Sequence, residues 1–214
     1  ENKDGLYFAS EAKSLLQVLP ELRQIDYRGL AETFSCGCVL QNRSLFSGVS
    51  LVPGGSAWKF DTRKKFVKTS YFDQKSWENI EPLGSIDYYE RLKETWIRIL
   101  PRYFGGKEPI AMSLTGGIDG RMIMAWANRP PNVLPCYTFG GMFQDSVDVR
   151  IARRVAAICQ QPHHVIPVAD NFLSQFPALA EKTVYITDGA MDVSGAADLF
   201  ANHLAREIAC VRLT

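Results

Sequence analysis

An α/β fold is predicted for the larger part of this chain: a parallel sheet with helices on both faces, running from about residue 86 to the end, preceded by mixed short elements. Three observations carry the prediction. From Pro109 onward, apolar runs of strand length alternate with amphipathic helical stretches, the pattern of successive βαβ units. Before them, Tyr89, Leu92, Trp96 and Ile99 recur at three- and four-residue steps, which makes Ile86 to Phe104 one long helix ended by Gly105-Gly106. Finally, a Gly-Gly turn joins the first apolar run to the next helix. In sheets of this kind ligands sit there, beyond the carboxyl ends of the strands.

The elements follow in order. Leu6 to Ala9 reads as a short strand, and Ser10 with Glu11 opens a helix through Leu15, Leu16 and Val18 that Pro20 ends. Asp26 has N-cap chemistry for a second helix running to Gly37. Pro53-Gly54-Gly55 marks a turn, after which Ser56 to Phe60 and Lys65 to Tyr71 form a hairpin across a polar, basic connection at Asp61 to Lys64. Asp73 to Ser85 is polar, contains Pro82 and Gly84, and shows no period; it reads as a linker. Beyond the long helix come a strand at Pro109 to Leu114, a helix at Met122 to Ala127, a strand at Val133 to Phe139, a helix at Asp148 to Cys159 and a strand at Val165 to Val168. Helices within Ser174 to Lys182 and Ser194 to Arg206, then a strand at Ala209 to Leu213, complete the series.

Composition narrows the function classes. The 214 residues are 46% hydrophobic, with 16 Gly and 11 Pro, which suits a chain with a buried core and excludes collagen-like or low-complexity readings. Charge is balanced, 24 Lys and Arg against 23 Asp and Glu, so no overall field recruits nucleic acid or an anionic membrane, and any phosphate binding must be local. Five cysteines without CxxC or paired Cys/His spacing read as buried free thiols of a reducing compartment. No apolar run is long enough to span a bilayer, and Glu1 to Asp4 lack the basic start of a signal peptide. The expectation is a cytoplasmic protein with no membrane or nucleic-acid partner.

The sharpest chemistry lies in Ser113-Leu114-Thr115-Gly116-Gly117-Ile118-Asp119-Gly120-Arg121. Two glycines let phosphate oxygens approach backbone N–H groups closely, and the following helix N-terminus aims partial positive charge at the same place. Thr115 adds a hydroxyl, Arg121 a cation, and Asp119 a carboxylate suited to Mg²⁺ held against phosphate. The set suits a pyrophosphate cradle; an ordinary Gly-Gly turn into a helix accounts for the same residues. Neither GxxxxGK[ST] nor GxGxxG is present.

Thr115 to Gly120 resembles the SGGxDS loop of PP-loop ATP pyrophosphatases, and the surrounding sequence resembles their glutamine-hydrolysing asparagine synthetase branch. Four stretches in the expected order carry the resemblance: Leu6 to Leu16; Leu45 to Val49 with Leu51 to Gly55; the Gly-Gly loop; and Tyr137 to Gly140 followed by Asp148, Ala152, Val155-Ala156 and His163 to Ile166. The resemblance implies a fragment across a domain junction. Residues 1–72 would end an α+β glutaminase-like domain, 73–85 would be a linker, and 86–214 would begin an adenine-nucleotide alpha-hydrolase-like PP-loop domain. Neither Cys36 nor Cys38 matches the family's N-terminal nucleophile, and the second, GEGxDE-type motif is not within the chain. It further implies ATP and Mg²⁺ as cofactors, a carboxylate such as aspartate as substrate, and glutamine or ammonia as nitrogen donor. Thr115, Gly116, Gly117 and Gly120 would hold pyrophosphate and Asp119 would help bind Mg²⁺. Leu114 and Phe139 would lie near adenine, with backbone atoms of Ser113 and Phe139 reading its edge; Ile118 and Arg121 complete the nucleotide set. The implied activity is ATP-dependent amidation through an acyl-adenylate. A ring-closing relative of β-lactam or peptide type and a non-catalytic scaffold are the alternatives. The loop departs from the family at Gly120, where a Ser or Thr hydroxyl is absent, and Arg121 stands beside it.

Other polar residues have structural readings. Adjacent His163 and His164 on a strand point to opposite faces and suit a strand edge better than a metal pair. Asp145, Ser146 and Asp148 suit a helix cap. Asp188 and Asp192 flank a Gly in a loop, and Asn42-Arg43-Ser44 is a sequon without meaning in the cytoplasm.

Overall fold

The computed structural model describes residues 5–61, 66–141 and 143–214. It divides into two compact units, Glu1–Pro82 with Val184–Met191, and Leu83–Thr183 with Asp192–Thr214.

In the first unit, α1 (Ala12–Val18) is capped from far along the chain. Glu11 makes no side-chain cap bond, and Asp188 instead accepts the Ala12 N–H at 2.7 Å and the Lys13 ammonium at 3.2 Å. α2 (Tyr27–Cys36) starts and stops where Asp26 and Gly37 predict. Asp26 accepts the Arg28 N–H at 3.0 Å, and Gly37 takes the left-handed conformation that only glycine adopts without steric cost. The strand expected at Leu6 to Ala9 does not form. Phe8 is exposed and stacks its ring on Phe60 at 5.3 Å, so this apolar run contributes side-chain contact rather than a ladder. β1 (Ser56–Phe60) and β2 (Phe66–Ser70) form the expected antiparallel hairpin, with Ser56 opposite Ser70 and Phe60 opposite Phe66. Residues 62–65 of the basic connection lie outside the described residues, as do Glu1 to Asp4. A five-residue helix, α3 (Gln74–Glu78), follows under an Asp73 cap; one turn is too short to leave a period in the sequence.

The second unit holds the sheet. α4 (Ser85–Tyr103), β3 (Ile110–Ser113), α5 (Ile118–Ala127), β4 (Cys136–Gly140), α6 (Val147–Ile158), β5 (His163–Pro167), α7 (Asp170–Ile186), α8 (Gly195–Ala205) and β6 (Val211–Leu213) follow in order. All neighbouring strands are parallel, in the order β5-β4-β3-β6. Each face is covered, as the alternation predicts. On one face Met112, Leu114 and Cys136 pack with Leu100 of α4, Ile123 and Met124 of α5, and Ala152 and Ala156 of α6. On the other, Ala111, Tyr137 and Ile166 pack with Ala205 and Ala209. Small residues on α6 and α8 let these helices approach the strands closely. α7 runs longer than expected on both sides of Pro177, whose missing N–H the helix tolerates.

All five cysteines are free thiols, but only Cys136 is buried and Cys159 partly so; Cys36, Cys38 and Cys210 are exposed. The expectation of uniformly buried thiols is corrected accordingly, because apolar neighbours in sequence do not make a position internal. Burial pushes the Cys136 thiol up to about 12, with a smaller contribution from Cys159, which makes it an inert core group. No helix among the described residues is long and apolar enough to cross a membrane.

Candidate functional site

β3 ends at Ser113 and α5 begins at Ile118, so the turn through Thr115, Gly116 and Gly117 lies at the carboxyl edge of a central strand of the four. Its base is fixed on β4. The Leu114 N–H donates to the Tyr137 carbonyl at 2.9 Å, and the buried Thr138 hydroxyl donates to the Leu114 carbonyl. Thr138 Oγ1 also lies 2.9 Å from His163 Nε2. Since the Thr138 hydrogen goes to Leu114, His163 must be the donor, protonated on Nε2. Burial holds the His163 ring below its ordinary pKa, aided by Arg153 and His164 and opposed by Asp145. His163 therefore faces the sheet, while its neighbour His164 is exposed on the edge strand.

The turn itself is braced at three points. Gly117 N–H donates to Thr115 Oγ1 at 3.1 Å, and the Arg121 guanidinium folds back to donate from Nε to the Gly117 carbonyl at 3.2 Å. Gly116 N–H donates to Oδ1 of Asp148 at 2.9 Å. Gly117 occupies the N-cap position of α5 and has no side chain to cap it, so the first-turn amides of Ile118, Asp119 and Gly120 have neither an intrahelical partner nor a side-chain cap. Asp119, in the same turn, is exposed. Amides at a helix N-terminus favour an anion, and an exposed carboxylate beside them is chemically suited to a divalent cation that accompanies one.

The expected nucleotide residues separate on this frame. Thr115 to Arg121 cluster at the turn. Ser113 and Phe139 share the sheet face lined by Ala111 and Tyr137, and Phe139 is partly exposed there. Leu114 is not brought to this group. Its side chain is fully buried on the opposite face, and both its backbone groups are bonded to β4, so it anchors the strand end. Among the residues read as a helix cap, only Ser146 acts so, accepting the Val149 N–H at 3.2 Å. Asp145 pairs with Arg153, which holds its carboxyl below the usual range. Asp148 reaches the loop instead. Asp188 caps α1, and Asp192 accepts the Ser194 N–H at 2.8 Å, its carboxyl held down by the hydroxyl and amide of Ser194.

Gly120 packs inward. A Cβ there would sit 3.5 Å from Leu114 Cδ1 and from Met112 Cε, an ordinary contact. Gly120→Ala is therefore expected to stabilise the protein by about 0.5–1 kcal/mol through helix propensity. Chemical denaturation checks this, and a loss of stability would show that the turn requires glycine. Gly116 is the opposite case: a Cβ would meet Asp148 Oδ1 at 2.7 Å and Ile151 Cδ1 at 3.1 Å.

No curated protein matches the chain. A family model described as asparagine synthase matches residues 104–213, just over half of the sequence and all of the region from the end of α4 to β6, including the Gly-Gly loop. On that match the chain belongs to the asparagine synthase family.

Proposed function

We propose that this chain carries the nucleotide-binding part of an enzyme that amidates a carboxylate at the expense of ATP, through an acyl-adenylate. Family membership supports ligase chemistry with ATP. The observation that carries the site is the turn between β3 and α5, with uncapped amides at Ile118, Asp119 and Gly120 beside an exposed carboxylate. A carboxylate oxygen of the substrate would attack the α-phosphorus of ATP, breaking its bond to the bridging oxygen and releasing pyrophosphate. Ammonia, free or drawn from glutamine, would then attack the acyl carbon, expel AMP and lose a proton.

Charge gathers on the departing pyrophosphate, where fixed N–H donors stabilise it without reorganising. The α5 amides would supply these donors, the Thr115 side chain would shape the turn, and Arg121 would add a cation whose remaining guanidinium nitrogens are free to reach phosphate. Mg²⁺ would neutralise phosphate charge and orient the leaving group. The donor set fits that ion in one way. Among the described residues no three His, Cys, Asp or Glu side chains gather as a metal cage, whereas a single carboxylate plus substrate phosphates is how Mg²⁺ is commonly held. Asp119 is that carboxylate.

The test is calorimetric titration of the full chain with Mg-ATP, then pyrophosphate release across a panel of carboxylates with glutamine or ammonia. Binding with carboxylate-dependent release is the expected result. Release that continues beyond one pyrophosphate per chain, with AMP expelled and no nitrogen donor present, would point to amide ring closure within one substrate. Absence of both binding and release would overturn the proposal in favour of a scaffold whose loop has lost function at Gly120.

A further inference from the structure

We propose that Asp148 is the positioning residue of the phosphate loop, holding its first glycine in place so that phosphate is left to the amides of the following helix. The inference rests on the pyrophosphate reading of the loop and adds a residue that lies outside the Gly-Gly motif. Asp148 stands in the first turn of α6, whose N-terminal field favours its charge, and its carboxylate leaves its own helix to accept the Gly116 N–H at 2.9 Å. The approach is close enough to explain glycine at this position. A Cβ on residue 116 would lie 2.7 Å from the same oxygen and 3.1 Å from Ile151 of the same helix. Gly116 has no positive φ, so backbone conformation does not require glycine; the neighbouring α6 does.

Two consequences follow. The Gly116 amide is already satisfied and is not a phosphate donor, and neither is Gly117, whose N–H is turned to Thr115 Oγ1. The loop's own oxygens thus close its first two amides and fix the peptide planes that lead into α5. The phosphate is left to Ile118, Asp119 and Gly120. The second consequence concerns charge. A carboxylate beside an anion site repels the ligand, so what Asp148 contributes is an acceptor oxygen in a fixed place, and a neutral acceptor of the same shape should serve.

The experiment uses the full chain as wild type, Asp148→Ala, Asp148→Asn, Gly116→Ala and the Gly116→Ala/Asp148→Ala double variant. Amide hydrogen exchange at residue 116 and calorimetric binding of inorganic pyrophosphate with Mg²⁺ are read in parallel. Asp148→Ala is expected to lose protection at residue 116 and to weaken pyrophosphate about fivefold, the value of one ordinary hydrogen bond. Asp148→Asn is expected to recover most of both, which a role as charge would not allow. Gly116→Ala should cost less in the Asp148→Ala background than in wild type, because its closest clash is gone. Pyrophosphate bound by Asp148→Ala as tightly as by wild type, or more tightly, would overturn the proposal and make the carboxylate a bystander or a competitor. Failure of wild type to bind pyrophosphate would overturn the phosphate reading itself; the exchange measurement then decides the brace alone, and unchanged protection at residue 116 in Asp148→Ala would overturn it.

Discussion

Asp119→Ala is expected to reduce carboxylate-dependent pyrophosphate release by at least a hundredfold while leaving the protein folded. The side chain is exposed in the first turn of α5, and no neighbouring core residue relies on it. Its loss removes a favourable charge at a helix N-terminus, a stability cost of about 0.3–1 kcal/mol. The catalytic cost is larger, because a fixed group that stabilises developing charge is commonly worth 10²–10³ in turnover, here exerted through the cation it is proposed to hold. Asp119→Asn separates charge from shape. It is expected to fold as well as wild type and to need much more Mg²⁺ for any residual release. Release by Asp119→Ala at the wild-type rate and Mg²⁺ dependence would remove Asp119 from the site.

The largest expected loss of stability comes from Gln161→Leu, by about 3 kcal/mol. Gln161 is 7% exposed and makes five bonds to the backbone. Its Oε1 accepts the N–H groups of Val133 at 3.1 Å and Leu134 at 2.8 Å, and its Nε2 donates to the carbonyls of Pro130 at 2.8 Å and Cys159 at 3.0 Å, with Arg129 at 3.4 Å. One side chain thus ties the segment between α5 and β4 to the entry of β5. Leucine fills the volume but leaves the Leu134 amide buried and unpaired, and each such group costs roughly 1–3 kcal/mol. The Cys136 N–H donates to the Pro162 carbonyl at 2.8 Å, so the register of β4 against β5 begins beside this clasp. Gln161→Glu keeps the acceptor but sets an oxygen against three carbonyls, and should also destabilise. Denaturant midpoints decide the matter, and a loss below 1 kcal/mol for Gln161→Leu would show that water replaces the clasp.

Reading the sequence located the turn from Thr115 to Gly117 because its signal is local: a short apolar strand, two glycines, and a helix with an acid in its first turn. The same locality explains why Asp26 and Gly37 mark the ends of α2 correctly, while the residues around Ser10 and Glu11 do not show what caps α1. Its true cap, Asp188, lies 176 residues from Ala12. Leu114 joins the nucleotide residues only through what the family resemblance implies. Strand alternation turns it into the core, and its neighbour Ser113 to the face shared with Phe139.

By itself the sequence determined the alternation of strands and helices, their approximate bounds, and the place in the chain of the Gly-Gly turn for which phosphate binding is proposed, since periodicity, caps and glycine turns act over a few residues. Tertiary structure alone decided the braces of the site. Asp148 meets Gly116 across 32 residues, and His163 reaches Thr138 across 25, to fix the strand end that carries the loop. The physical reason is that a hydrogen bond between distant residues depends on how β3, β4, β5 and α6 pack together, and no spacing within any one of those elements records it.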